Sequence, residues 1–238
     1  MMEAILSVVM PVYNEKQTVL QIIDKVLKLE IVRELIVVDD FSTDGTRELL
    51  TAAAFDDRVR IFFHDRNLGK GAALRTGFAK VTGAIVVIQD ADLEYDPSEF
   101  IEMIRPIQEG VADVVYGSRL SGGKPQRVYM FWHRIGNGFL TFLTNLLYNT
   151  TLSDMETCYK MFRRDVLRQL VLEQDRFGFE PEVTAKLAQL PVRIVEVPIA
   201  YHGRTHAEGK KIGWKDGVQA VRYIFRYGRR GRRAATME

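Results

Sequence analysis

Three acids follow one apolar run closely. Ala84 to Pro97 reads Ala-Ile-Val-Val-Ile-Gln-Asp-Ala-Asp-Leu-Glu-Tyr-Asp-Pro. Along an extended chain, side chains i, i+2 and i+4 share a side, so the spacing predicts that Asp90, Asp92 and Glu94 converge. Carboxylates gathered in one place repel each other unless protons or a cation sit among them. Hard oxygen donors suit Mg²⁺ or Mn²⁺, which usually keep waters and bind phosphate as well. The same residues also admit a plainer role, as solvated turn acids ahead of a helix opened by Asp96-Pro97.

The elements that must position these acids can be read along the chain. Ile85 to Ile88, four β-branched residues between Gly83 and the acids, predicts a strand buried on both faces. Upstream, Ile5 to Met10 predicts a strand stopped by Pro11, and Val12 to Glu15 the loop after it. Val19, Ile22, Ile23, Val26 and Leu27 carry helical spacing within Thr18 to Leu29. Leu35 to Val38 is a second strand ending in Asp39-Asp40, followed by turn residues Phe41 to Gly45 and a helix over Thr46 to Ala54. Val59 to Phe63 is a third strand, and Asn67-Leu68-Gly69-Lys70-Gly71 leads into a helix through Phe78. Beyond the acids come a helix over Glu99 to Ile107 and a strand over Val111 to Tyr116. This alternation implies the α/β class, with a mostly parallel central sheet and helices on both faces.

Ligands of such sheets bind beyond the carboxyl ends of the strands. Pro11 to Glu15, Asp39-Asp40 and Asp90 to Glu94 all fall there. Together they offer an aromatic face at Tyr13 and a carboxylate at Asp39 or Asp40 for a base and ribose, beside a metal for a diphosphate. The first loop lacks the Gly-x-Gly-x-x-Gly pattern of dinucleotide binding. Gly69-Lys70-Gly71 lacks the P-loop pattern, although Lys70 stands near a helix start where a phosphate could meet it.

Composition narrows the classes. A chain of 238 residues at 47% hydrophobic has material for a sizeable core. A net charge of +2 gives no whole-molecule field for nucleic acid. Cys158 is the one cysteine, so no internal disulfide forms, and it reads as a small core residue rather than a nucleophile. The first residues show no basic segment followed by an apolar run, so no secretory leader is expected. His64, His133, His202 and His206 show no metal-ligand spacing.

Several motifs in order resemble family-2 glycosyltransferases with the Rossmann-like GT-A fold. They are Val9-Met10-Pro11-Val12-Tyr13-Asn14-Glu15, Val37 to Thr46, Asn67 to Gly71, Asp90-Ala91-Asp92 and Gly117-Ser118-Arg119. Asp154-Met155-Glu156-Thr157-Cys158-Tyr159-Lys160 through Arg164, and Val197 to Tyr201 followed by Arg204 and Lys210, resemble the dolichol-phosphate mannosyltransferase and polyprenyl-phosphate glycosyltransferase branch. The resemblance implies that Pro11, Tyr13, Glu15, Val38, Asp39, Asp40, Lys70 and Ala91 hold the nucleotide sugar, with Arg134, Arg204 and Lys210 as further cations of the site. It implies that Asp90, Asp92 and Glu94 hold Mg²⁺ or Mn²⁺, and that Asp92, Arg119 and Asp154 serve the reaction. Some members have glutamine where Glu94 stands. Some also carry transmembrane helices after the catalytic domain.

By that resemblance, the phosphate of a polyprenyl phosphate attacks the anomeric carbon of a nucleotide sugar with inversion. A phosphate monoester loses its second proton near pH ~6, so it is already a nucleophile at neutral pH. The harder task is to bring that dianion beside a nucleotide diphosphate, which calls for cations and a metal on the leaving group. Arg119, Arg134, Arg204 and Lys210 are the candidates, each with an exposed surface charge as its alternative. Asp154 either orients the acceptor or serves as a structural cap.

The lipid half leaves a trace too. Between Val128 and Tyr148, Trp132, Ile135, Phe139, Phe142, Leu143 and Leu146 follow helical spacing but are interrupted by Asn137, Thr141, Thr144 and Asn145. That is poor for a spanning helix and suits an amphipathic helix at a membrane interface, or else a core or dimer helix. Basic residues from Lys210 to Arg233 interleave with Trp214, Val218, Val221, Tyr223, Ile224 and Phe225, a membrane-surface pattern for which a nucleic-acid arm is the alternative. Tyr201 to Gly213, with three glycines and three cations, is expected to be a lid over the donor.

The expectation is therefore one GT-A domain over residues 1–227, with a nucleotide-sugar half (1–120), an acceptor and membrane half (121–227) ending in amphipathic helices, and a basic tail (228–238). Its activity would be metal-dependent transfer, from GDP-mannose or alternatively UDP-glucose, to a polyprenyl or dolichyl phosphate. It would sit peripherally on the cytoplasmic face of a membrane, with a membrane-anchoring partner protein as a possible companion and no nucleic-acid partner. A sugar-1-phosphate nucleotidylyltransferase is the different class. It would want a Gly-rich loop where this chain has Pro11-Val12-Tyr13.

Overall fold

The computed structural model describes residues 5–125, 131–203 and 214–235. Its centre is a seven-stranded sheet whose strands are short, most of them rich in Val and Ile. In chain order the strands are β1 (Leu6–Val12), β2 (Val32–Asp39), β3 (Val59–Phe63), β4 (Ile85–Ile88), β5 (Val114–Ser118), β6 (Lys160–Arg163) and β7 (Ile194–Pro198). The spatial order is β3-β2-β1-β4-β6-β5-β7. All neighbours run parallel except β6, which is antiparallel to β4 and β5. The sheet is thus mostly parallel, as the α/β alternation predicts.

Alternation along β1 sends Leu6, Val8, Met10 and Val12 to one face and Val9 to the other, and each face has its own core. On the first face lie α1 (Val19–Leu27), α2 (Thr46–Ala52) and α4 (Phe100–Gln108), through Ile22, Leu50 and Met103. On the second lie α3 (Lys70–Phe78), α5 (Phe131–Tyr148), α6 (Arg164–Leu167), α7 (Phe179–Leu187) and α8 (Trp214–Ala235), through Leu74, Leu140, Val166, Val183 and Ile224. A helix on α8's pattern buries residues at i, i+4 and i+7. Ala220, Ile224 and Tyr227 are the buried ones.

Two expectations about the strands change. β1 does not stop at Pro11 but runs to Val12, with Pro11 opposite Val38. Val9 turns toward β4, whose last residue pairs with it, so Pro11 two residues on faces the side where β4 has ended. Its missing N–H breaks no ladder there. β5 begins at Val114 rather than Val111. Val111 N and Ala112 N instead bond Pro106 O at the end of α4, which closes that helix.

Candidate functional site

The carboxyl ends of β1, β2 and β4 open onto a cavity of about 890 Å³. Its first wall is the three loops that follow those strands, and Pro11, Tyr13, Glu15, Asp40, Ala91 and Asp92 line it. The second wall is the segment between α5 and β6 together with the start of α7, represented by Glu156, Cys158 and Glu180. α5 and α8 border the mouth through Trp132, His133 and Gly217.

On the first wall, acids organise backbone. Asp40 accepts from Leu68 N (2.8 Å), Gly69 N (2.7 Å) and His64 Nδ1 (2.7 Å), which sets the turn into α3. That turn needs its glycines for packing. Gly69 has φ +102°, and a Cβ at Gly69 or Gly71 would run into the carbonyls of Asp175 or Gln174. Asp39 lies beneath, fully buried. Its Oδ2 accepts from Arg47 Nε (2.9 Å) and Ser42 N (3.2 Å), while Oδ1 is buried without a hydrogen-bond partner among the described residues. Val38 is a core residue of the second face and does not line the cavity. Tyr13 stands 37% exposed at the mouth, and Glu15 accepts from Thr18 Oγ1 at 3.0 Å.

The three acids after β4 all line the cavity, but the chain carrying them is not extended. Residues 91–95 turn, and Leu93 takes φ +62°. The left-handed residue breaks the alternation that the spacing implied. Asp92 Oδ1 accepts from Glu94 N (3.1 Å), Glu94 Oε2 accepts from Tyr201 Oη (2.8 Å), and Asp90 is paired with Lys70 at 3.0 Å. Among the described residues no three acids, histidines or cysteines gather as a metal cluster. The oxygens that line the cavity suit a different holding mode. Mg²⁺ and Mn²⁺ are commonly bound by one or two carboxylates, with waters and substrate phosphate completing the shell. Asp92, with Asp90 beside it, fits that mode.

Lys70 is nearly enclosed. Its Nζ meets Asp90, Glu180 (3.3 Å) and Cys158 Sγ (3.0 Å). Burial works against its charge, but Asp90, Cys158 and Glu180 outweigh burial and hold the ammonium well above its usual range. The Cys158 thiol is pushed well up by burial and Asp90, so it stays protonated and is a poor nucleophile, but it is only partly buried and lines the cavity rather than standing in the core.

Arg119 follows β5 and is gripped in a fork by Asp154, Nε to Oδ2 at 2.7 Å and Nη2 to Oδ1 at 2.8 Å. Asp154 also accepts from Arg119 N, is itself fully buried, and does not line the cavity. Burial opposes its ionisation, yet Arg119 holds the carboxyl below its usual range. The guanidinium lies over the Tyr201 ring at 5.1 Å. Arg119 thus presents a cation to the cavity, as do Lys70 and Arg176, and Asp154 holds it in place. Arg134 is on the exposed side of α5 and does not line the cavity. Arg204, Lys210 and most of the expected lid lie outside the described residues.

Glu156, Lys160 and Glu180 are not marked in the sequence as site residues. Lys160 is fully buried, with Nζ donating to Met155 O (3.0 Å) and Thr157 O and lying 4.6 Å from the Tyr116 ring centre. The available signal was three charged residues set among apolar ones, at Glu156 and Lys160 and ahead of the apolar run in α7.

A family model for glycosyl transferase family 2 matches residues 7–171. The chain belongs to glycosyltransferase family 2. Among curated relatives, it is 30% identical over 224 residues to the low-salt glycan biosynthesis hexosyltransferase Agl6 of Haloferax volcanii, covering 92% of this chain and 52% of that one. It is 28% identical to the dodecaprenyl-phosphate galacturonate synthase of Rhizobium johnstonii, covering 86% of this chain and 61% of that one. The chain therefore spans little more than half the length of these relatives. Among solved structures, glucosyl-3-phosphoglycerate synthase of Mycobacterium tuberculosis, crystallised with Mn²⁺, UDP and glucosyl-3-phosphoglycerate, superposes with a TM-score of 0.70 at 22% identity. That match covers 93% of this chain and 79% of the other, and it bears out the GT-A fold.

Proposed function

We propose that this family-2 glycosyltransferase moves a hexose from a nucleotide diphosphate sugar to the phosphate of a polyprenyl or dolichyl phosphate, with inversion at the anomeric carbon. The observation that carries the reading is one cavity lined by hard acids, by an arginine held in place by Asp154, and by an exposed apolar helix at its mouth. Curated relatives named for dodecaprenyl-phosphate and undecaprenyl-phosphate support the acceptor class. Mannose from GDP-mannose is the proposed donor, with UDP-glucose the alternative.

Asp92 and Asp90 would hold Mg²⁺ or Mn²⁺, which when bound would neutralise the departing diphosphate. Tyr13 presents its ring to the base, and the orphan Oδ1 of Asp39 is an acceptor awaiting a donor group at the end of β2. Arg119 receives the acceptor phosphate. It is a fixed planar fork whose partner, Asp154, stops it from swinging, so the attacking oxygen meets charge already in place. No strong general base is required, because the phosphate is already ionised.

The membrane reading rests on α5. Trp132, Ile135, Phe139, Phe142 and Leu146 form a stripe in steps of three and four, exposed by 50 to 79%. Leu143 differs, packing inward on the second core. Among the described residues no helix is long and apolar enough to cross a membrane. A stripe of this kind lies in the interfacial plane beside the cavity mouth, where a polyprenyl tail would leave it. The protein is accordingly proposed to act peripherally at the cytoplasmic face.

A thermal-shift panel of GDP-, UDP- and CDP-sugars with Mn²⁺ tests the donor. A ligand of the folded state raises the midpoint. GDP-mannose is expected to raise it most. A panel in which no nucleotide sugar shifts the midpoint would refute the donor site.

A further inference from the structure

The second wall holds a buried carboxylate oxygen, Glu156 Oε1, that has no hydrogen-bond partner among the described residues. Every neighbour of Glu156 is tied down. Asp154 grips Arg119, Met155 N donates to Thr141 Oγ1 (3.1 Å), Thr157 Oγ1 donates to Gly117 O (2.5 Å), and Cys158 N donates to Tyr95 Oη (3.3 Å). The backbone under Glu156 is therefore rigid from both sides. Its own carboxyl lines the cavity, and Oε1 is buried without a hydrogen-bond partner among the described residues. A buried acceptor without a partner costs stability, so native chains rarely keep one unless something else completes it.

What completes it is set by the local charge. Three cations nearby are engaged elsewhere, Lys70 with Asp90 and Glu180, Arg119 with Asp154, and Lys160 with two backbone carbonyls, and although Lys160 and Arg119 favour the charged form of Glu156, burial and Glu180 outweigh them. Glu180 stands close enough to raise the Glu156 carboxyl further, on top of burial, to about 8. At neutral pH Glu156 thus keeps its proton. A protonated carboxyl offers one donor and one acceptor side by side, which is the pattern that sugar hydroxyls complement. A second anion brought beside Glu156 would meet the Glu180 carboxylate, which already shares Lys70 with Asp90.

We propose that Glu156, backed by Glu180, is the residue that reads the transferred sugar, hydrogen-bonding hydroxyls of a neutral hexose and rejecting a hexuronate. The inference rests on the donor reading above and deepens it.

Binding calorimetry with Mn²⁺ tests it on the wild type, E156Q and E156A. The probes are UDP, UDP-glucose and UDP-glucuronate, and GDP, GDP-mannose and GDP-mannuronate. For whichever base the protein accepts, the wild type should bind the hexose conjugate more tightly than the bare diphosphate, and the hexuronate about ten-fold less well than the hexose. E156A should lose the advantage of the hexose, about ten-fold, while its affinity for the bare diphosphate stays as in the wild type. E156Q, which keeps a donor and an acceptor, should retain most of it. Equal losses for diphosphate and conjugate in E156A would make Glu156 a merely structural residue and overturn the proposal. So would a wild type that binds the hexuronate as well as the hexose. A wild type that binds none of the six would overturn the donor reading itself, and this inference with it.

Discussion

The two walls of the cavity hold similar charges in different ways. On the first, Asp40 and Asp92 spend carboxylate oxygens on nearby backbone N–H groups, Leu68, Gly69 and Glu94, and so shape turns. On the second, charged heads are buried against one another across long stretches of chain, Asp154 against Arg119 and Glu180 against Lys70. A wall of turns can lose a charge and keep its shape. A wall of buried ion pairs cannot, because the partner left behind is an uncompensated charge.

The largest effect should separate chemistry from stability on the first wall. D92N removes a ligand charge but keeps the oxygen that accepts from Glu94 N. Transfer should fall on the order of 10³-fold, as for loss of a main transition-state stabiliser. The melting midpoint should move little, since the cost is expected to stay within about 0.5 kcal/mol. Normal turnover in limiting Mn²⁺ would remove Asp92 from the metal site.

On the second wall, stability and activity should fall together. D154A leaves Arg119 buried and unpaired, at a cost of about 3–5 kcal/mol. Denaturant unfolding measures the loss directly. Activity lost at unchanged stability would mean that Asp154 meets substrate itself. Acid should act in the same direction. Asp154 is held below its usual range by Arg119 despite burial, so its contribution is present above pH ~3.9, the unfolded value, and is lost as pH falls through the lower folded one.

Glu156 carries the opposite sign. Pushed up to about 8 by burial and Glu180, it binds a proton more tightly in the folded chain than at its unfolded value near ~4.3. Stability is thereby lost progressively as pH rises between those values. E156Q removes that slope, so its midpoint relative to the wild type should climb between pH 5 and 8 by the equivalent of about 1 kcal/mol or more. A constant difference across that window would show that Glu156 ionises as an ordinary carboxyl.

The contrast between the walls also governs what could be read from the chain beforehand. β4 and β3 were legible to the residue because runs such as Ile85 to Ile88 leave no other burial pattern. The carboxyl-end placement of Asp40, Asp90 and Asp92 followed from those strands. Leu93's left-handed backbone did not, since nothing in Asp-Ala-Asp-Leu-Glu demands it, and so the three acids were expected to converge and do not. β6 is four residues, Lys-Met-Phe-Arg, with a charge at each end and neighbours far away in sequence, and carries no periodic signal. The roles of Glu156 and Lys160 depend on Glu180, Tyr116 and Arg119, which only the folded chain brings near.

The smallest effect on the fold belongs outside both walls. F142S on the exposed stripe of α5 should change stability by less than about 0.5 kcal/mol. It should nonetheless weaken flotation with anionic liposomes at low salt, and high salt should release the wild type, since surface attraction is screened. Retention of the wild type through salt and carbonate washing would contradict a peripheral mode.

One cavity is proposed to join a nucleotide sugar to a lipid phosphate. The direct measurement is to incubate the protein with Mn²⁺, polyprenyl phosphate and the donor that the thermal panel selects, then determine the product by mass spectrometry and its anomeric configuration by NMR. The expected product is a polyprenyl-phosphate hexose of inverted configuration, dependent on the lipid and absent with D92N. Release of free sugar at the same rate with or without lipid, or a product of retained configuration, would contradict it.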